Sequence, residues 1–128
     1  MVKNNTEKQI PQATARARHL RSSARKARLV VNEVRGKTVG DALALLQFTI
    51  EKHIARDVEK LIKSAVANLE NKNSDINIDP KDIVIKTIYV DEGATLKRFQ
   101  PKAMGRAGSI FKRMCHISVT VAADAASN

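Results

Sequence analysis

Residues 91–116 constrain this chain more than any other stretch, because a globular core cannot absorb them. Their large apolar residues are few: Leu96, Phe99, Met104, Ile110, Phe111 and Met114. They also hold Gly93, Gly105, Gly108 and Pro101, and residues 93–123 contain no acid at all. On one side, residues 83–90 are rich in β-branched side chains. On the other, Ile117, Val119 and Val121 alternate with Ser118 and Thr120. Both flanks read as strands that pair antiparallel in the core. The simplest geometry lets them run on as a long hairpin, over about 91–116. Its tip falls near residues 99–107, where Pro and Gly permit a turn. A dozen residues a side would reach about 40 Å at roughly 3.3 Å per residue. Such an arm is marginal alone in water. A polyanionic partner must order it, whether it is preformed or folds on binding.

The charge pattern agrees. Net charge is +10, and it is uneven. Residues 1–37 carry ten cations and two acids. Residues 38–92 carry seven cations and ten acids, and residues 93–128 carry six cations and one acid. Solvated faces mix both signs. Two acid-poor blocks in one small chain point to two surfaces that touch phosphate. Aromatics make up 3% of the chain, which argues against base-stacking platforms for single-stranded nucleic acid.

The rest of the chain reads as scaffold. Residues 1–12 are a polar tail, expected to be flexible ahead of a single globular domain over 13–128. Residues 13–20 alternate, with Ala15, Ala17 and His19 on one face and Arg16, Arg18 and Leu20 on the other, as in an edge strand. Ser22 or Ser23 caps a helix that Gly36 stops. Ala24, Ala27, Val30, Val31 and Val34 form its apolar face, and Arg25, Arg28, Asn32 and Arg35 recur on another. Thr38 and Asp41 resemble a capping box for a short helix with Ala42, Leu45, Leu46 and Thr49 inward. A third helix over about 51–71 buries Ile54, Val58, Leu61, Ile62, Ala65 and Leu69. The expected fold is α+β: three helices packed on a small antiparallel sheet, with a long protruding β-hairpin.

Several function classes find no support. No apolar run approaches a membrane span, and the N-terminus has no signal-peptide core. The first helix carries small residues where a membrane-surface helix needs bulky anchors. The single Cys115 suits a reducing compartment. His19, His53 and His116 are scattered and supply no zinc set with it. No phosphate loop, nucleophile motif or dinucleotide fingerprint is present. Neither an enzyme, a metal nor a cofactor is expected.

Against this background the chain resembles a known family over residues 13–123. Arg21-Ser22-Ser23-Ala24-Arg25-Lys26-Ala27-Arg28-Leu29-Val30 resembles the first-helix signature of universal large-subunit ribosomal protein twenty-two, bacterial or organellar type. Val34-Arg35-Gly36-Lys37 resembles that helix's end, and Ser64-Ala65-Val66-Ala67-Asn68 the third-helix pattern. Val90-Asp91-Glu92-Gly93 with Leu96-Lys97-Arg98 is similar to the ascending hairpin strand. Gly105-Arg106-Ala107, Ile110, Lys112-Arg113 and His116-Ile117 resemble the tip and the descending strand. Ala94 stands where the family often has Pro, and Lys102 where Arg is usual.

The resemblance implies a structural constituent of the large ribosomal subunit. It implies a small domain on the subunit's outer face, bound to large-subunit ribosomal RNA and neighbouring ribosomal proteins. It also implies a hairpin that threads inward and lines the nascent-peptide exit tunnel, near where macrolides bind. The tunnel-facing tip would be Gln100, Pro101, Lys102, Ala103, Met104, Gly105 and Arg106. Arg16, Arg18, Arg21, Arg25, Lys26, Arg28, Arg35 and Lys37 would form one RNA surface. Lys97, Arg98, Lys102, Arg106, Lys112 and Arg113 would form a second. The nascent polypeptide is a further expected partner; no membrane and no homo-oligomer are expected. The setting would be the ribosome of the cytoplasm or of an organelle. Two other readings compete: an architectural DNA-binding protein whose basic β-arms wedge into the minor groove, and a free RNA chaperone.

Overall fold

The computed structural model describes residues 11–73 and 79–123. The elements run β1 (Gln12–Leu20), α1 (Ala24–Val34), α2 (Val39–Gln47), α3 (Lys52–Lys72), β2 (Ile83–Glu92), β3 (Leu96–Pro101), β4 (Ala107–Lys112) and β5 (Cys115–Ala123). Single 3-10 turns precede β2 and form the arm's tip. The fold is α+β, with an antiparallel sheet in the order β1-β5-β2 and a separate β3-β4 ribbon. The tail expected at residues 1–12 falls mostly outside the described residues. Gln12 itself begins β1, and the Pro11 carbonyl accepts from the Ala123 N–H.

Each helix forms where the sequence supplies a cap and a stripe. The Ser23 side chain accepts from the Lys26 N–H at 3.3 Å, so Ser23 is the N-cap of α1. The buried face of α1 is Ala24, Ala27, Val30, Val31 and Val34, the set its periodicity marks. Gly36 follows at φ +76°, a conformation that costs glycine little and a β-branched residue much. Thr38 caps α2 by accepting from Asp41 N–H, and Asp41 in the first turn suits the helix dipole. The helix stops at Gln47, so Thr49 lies beyond it, with its hydroxyl donating to the Leu45 carbonyl. The helix α3 buries Ala55 besides the six expected residues.

α3 packs on β1 and β5, and α1 on β2. Between them lie Val30, Val58, Ile62, Leu69, Ile85, Ile88, Ile117, Val119 and Val121, all essentially inaccessible. Each such side chain contributes about 1.5–3 kcal/mol on leaving water. With no Trp and almost no ring in it, this is a core of aliphatic residues.

Three irregularities set the phase of the strands. In β2 the register shifts between Ile85 and Thr87, which moves burial from Ile83 and Ile85 to Ile88 and Val90. One extra residue flips the faces, and here it keeps Ile83, Ile85, Ile88 and Val90 all inward. In β1 the register shifts between Ala17 and Leu20, with His19 at φ +60°. The strict alternation expected there fails: His19 is exposed, and Leu20 packs against the core. The third lies where the sheet becomes the arm. Glu92 pairs with Cys115 and Leu96 with Lys112, so residues 93–95 oppose only 113 and 114. The Gly93 N–H donates to the Met114 carbonyl at 2.8 Å. A Cβ at Gly93 would stand 3.2 Å from the His116 ring, so glycine alone fits without displacement.

The hairpin exists, but its ladder is shorter than the sequence suggests. Six pairs join β3 to β4, from Leu96 with Lys112 to Pro101 with Ala107. That is about 20 Å at roughly 3.4 Å per residue. The junction and the tip make up the remainder.

Candidate nucleic-acid interface

The candidate cations occupy four places in this fold. Arg16 and Arg18 stand exposed on β1. Arg21 lies between β1 and α1. Arg25, Lys26, Arg28, Arg35 and Lys37 lie on α1 or just after it, all exposed. Lys97, Arg98, Lys102, Arg106, Lys112 and Arg113 lie along the arm, also exposed. Among the described residues the ion pair formed is Lys63 with Glu59, one helical turn apart at 3.0 Å. None of the candidate cations takes part in one. Their charge is therefore available to an external anion.

Two of them have a structural task as well. β2 is an edge strand, and its outer carbonyls lack a neighbouring strand. Arg35 Nη2 donates to the Ile88 carbonyl at 3.0 Å, and Arg28 Nη2 to the Val90 carbonyl at 3.2 Å. Further along the same edge, the Ile85 N–H donates to the Lys37 carbonyl. The helix thus covers the edge and blunts it against other strands. Each guanidinium has five N–H donors, so one bond leaves the rest free. Arg25 and Lys26 make no side-chain bond within the described residues.

The two basic surfaces meet. Arg21 Nη1 donates to the Arg113 carbonyl at 2.9 Å, across the base of the arm. Arg21 and Lys26 then share a depression of about 420 Å³ with Lys112 and Arg113. A second depression, of about 330 Å³, brings Arg25 beside Arg113 and Glu92. At the base of the arm, Arg21, Arg25 and Lys26 thus lie beside Lys112 and Arg113.

On the arm, apolar side chains are interleaved with the cations. Phe99 is 77% and Met104 98% exposed, and the Arg113 guanidinium stacks 5.7 Å from the centre of the Phe111 ring. At the tip, Met104 and Gly105 both take positive φ, and the Lys102 N–H donates to the Arg106 carbonyl. The Lys102 stem lies across Gly108, where a Cβ would come within 2.6 Å of it. The tip residues, Gln100 to Arg106, are all exposed.

The structure also gathers residues that sequence reasoning left scattered. His19 and His116 meet edge to face, with ring centres 5.0 Å apart. The His19 backbone N–H donates to His116 Nδ1 at 3.0 Å. No signal in the one-dimensional pattern marks this pair, because the β1 irregularity creates it. Asp91 and Glu92 line different depressions, as adjacent strand positions must. Among the described residues no cluster of His, Cys, Asp or Glu could hold a metal ion, and no helix is long and apolar enough to cross a membrane.

The fold and this surface define a small basic α+β module with a protruding two-stranded arm. Comparison with known proteins gives the particular family. The model of the family described as Ribosomal protein L22p/L17e matches residues 15–122. The large ribosomal subunit protein uL22 of Desulfitobacterium hafniense (strain DSM 10664 / DCB-2) is 54% identical over 112 residues, covering 88% of this chain and 95% of that one. The proteins of the same name from Synechococcus sp. (strain JA-3-3Ab) and Pediococcus pentosaceus are 48% and 49% identical, covering 87% and 88% of this chain and 87% and 92% of their own. The chain belongs to the Ribosomal protein L22p/L17e family, whose members are structural ribosomal proteins and not enzymes.

Proposed function

We propose that this chain is a structural constituent of the large ribosomal subunit that binds large-subunit rRNA through the cations of β1, of α1 and of the arm, those of α1 meeting those of the arm at its base. The observation that carries the reading is the Arg21–Arg113 contact, with unpaired cations on both sides of it. Contacts would go mostly to phosphate and sugar and would recognise folded RNA by shape. Arginine suits this because its planar fork grips phosphate with two bonds. By holding RNA with body and arm together, the protein ties distant segments and supports assembly. The arm carries its tip, Gln100 to Arg106, into the nascent-peptide exit tunnel, where the growing chain is a further neighbour. Ribosomal proteins beside it complete the surroundings.

The exposed rings and Met104 of the arm favour this over a free chaperone. Apolar side chains so exposed on a narrow ribbon need a fixed, folded environment. Sedimentation tests the reading. The protein should travel with the large subunit on a sucrose gradient and stay there after a high-salt wash. If it remains at the top, or follows DNA after ribonuclease treatment, the chain is a chaperone or an architectural DNA binder.

A further inference from the structure

The face of the sheet away from the helices carries a depression of about 350 Å³, lined by Arg16, Arg18, His19, Tyr89, Asp91, His116 and Ser118. The strand register explains its order. Arg16 pairs with Ser118, which pairs with Tyr89, so these three form one row across the sheet. In the next row His116 pairs with Asp91. The β1 irregularity sets both Arg18 and His19 opposite His116. Arg16, Arg18 and the His19 ring therefore line the β1 side, Asp91 and the Tyr89 ring the β2 side, and His116 lies between them on β5. The two sides are two strand spacings apart, about 9.6 Å.

This chemistry differs from the rest of the basic surface. Arg21, Arg28, Arg35 and Arg98 each spend a guanidinium nitrogen on a backbone carbonyl. The side chains of Arg16, Arg18 and Asp91 bond to nothing among the described residues, although they share one depression. Tyr89, the chain's one tyrosine, is 42% exposed, and its hydroxyl bonds to nothing among the described residues. Of the few rings in the sequence, three gather here.

A phosphate alone would call for the arginines and be repelled by Asp91. A whole nucleotide uses every part. Unpaired RNA bases lie against aromatic rings and are read at their polar edges, and a carboxylate accepts from an exocyclic amino group. The volume is at the lower end of small-ligand sites, enough for one such unit and not for a helix.

We infer that this depression holds a single unpaired rRNA nucleotide: its phosphate at Arg16 and Arg18, its base against Tyr89 and the histidine pair, its exocyclic amino group donating to Asp91. The inference rests on the rRNA-binding reading above and adds base recognition to it. Adenine, cytosine and guanine carry the required amino group, and uracil does not.

Photocross-linking in intact large subunits tests it. Tyr89→p-benzoylphenylalanine puts a probe of similar shape in the depression. Irradiation should yield one dominant cross-linked nucleotide, mapped by primer extension, and it should be A, C or G. In a second experiment, subunits with Tyr89→Ala or Asp91→Ala are probed with base-modifying reagents. The same nucleotide should become more reactive by roughly fivefold or more, the lower end of what a base–aromatic contact contributes. Cross-links to protein alone, to a uridine, or to nothing, in subunits shown to contain the variant, would overturn the inference and leave the rRNA reading standing. Unchanged base reactivity in the alanine variants would also overturn it. Absence of wild-type protein from the subunit would overturn the rRNA reading itself.

Discussion

Arg21 reaches from the end of β1 to the backbone carbonyl of Arg113, 2.9 Å away, and so ties the sheet's edge strand to the base of the arm. Both residues are cationic, but the bond itself joins one guanidinium to a neutral backbone carbonyl. With the Gly93–Met114 bond, this contact fixes how the arm leaves the body. Arg21→Ala should loosen that joint while leaving the core intact. The expected loss of stability is small, about 1 kcal/mol, since the bond is exposed. Hydrogen exchange at Gly93 and Met114 should speed up, with no change at Val119. Equal acceleration at all three would mean that Arg21 holds the whole fold.

Arg25 and Arg28 lie one turn apart on α1 but do different things. Arg28 bonds the Val90 carbonyl on the edge of β2, and the Arg25 side chain bonds nothing among the described residues. Arg25→Glu should weaken rRNA binding at unchanged melting temperature. The variant Arg25→Ala should reduce the slope of log affinity against log salt by about one. Arg28→Ala should lower both affinity and stability, the latter by about 1 kcal/mol. If Arg25→Ala left the salt dependence untouched, that part of the helix would not face RNA.

The tip is exposed along its whole length, and its backbone closes through the Lys102–Arg106 bond. Deleting residues 102–104 should shorten the turn without touching the β3-β4 ladder, which ends at Pro101 and Ala107. Incorporation into the large subunit should persist, and the response to macrolides should change. Unaltered sensitivity in ribosomes shown to contain the deletion would place the tip away from that pocket.

Cys115 is fully buried at the start of β5, and burial pushes its thiol up from the ordinary range, with Asp57 adding to the rise. A raised acid in the folded state means the unfolded chain gives up its proton first. Stability is therefore full below the unfolded thiol's value, about 8.5, and falls as pH rises past it. Denaturant midpoints at pH 7 and pH 10 should show the drop, and Cys115→Ala should remove the part due to the thiol. Native protein at pH 7 should also resist thiol reagents that modify the unfolded chain. Rapid native labelling would contradict the burial.

Much of this fold was legible in one dimension, and the exceptions are a strand irregularity and contacts between residues far apart in sequence. The faces of α1 and α3 follow from a 3.6-residue period, and the structure buries those residues with Ala55 added. The sheet pairing of β2 with β5 follows from β-branched runs. The phase of β1 beyond Ala17 does not, because one inserted residue reverses every side chain after it and leaves no mark in composition. The same irregularity hides the His19–His116 contact. An arginine stripe reads as charge, so nothing in the sequence says that Arg28 and Arg35 also close a sheet edge. The meeting of the two basic surfaces needed the Arg21–Arg113 contact, between residues 92 positions apart.

Cross-linking of the incorporated protein tests the central claim most directly. Large subunits would be irradiated with ultraviolet light, digested, and the peptides attached to rRNA identified by mass spectrometry. One interface running from body to arm predicts attached peptides from β1 and α1 and from β3 and β4 in the same particle. Peptides from the arm alone, or from the body alone, would contradict it.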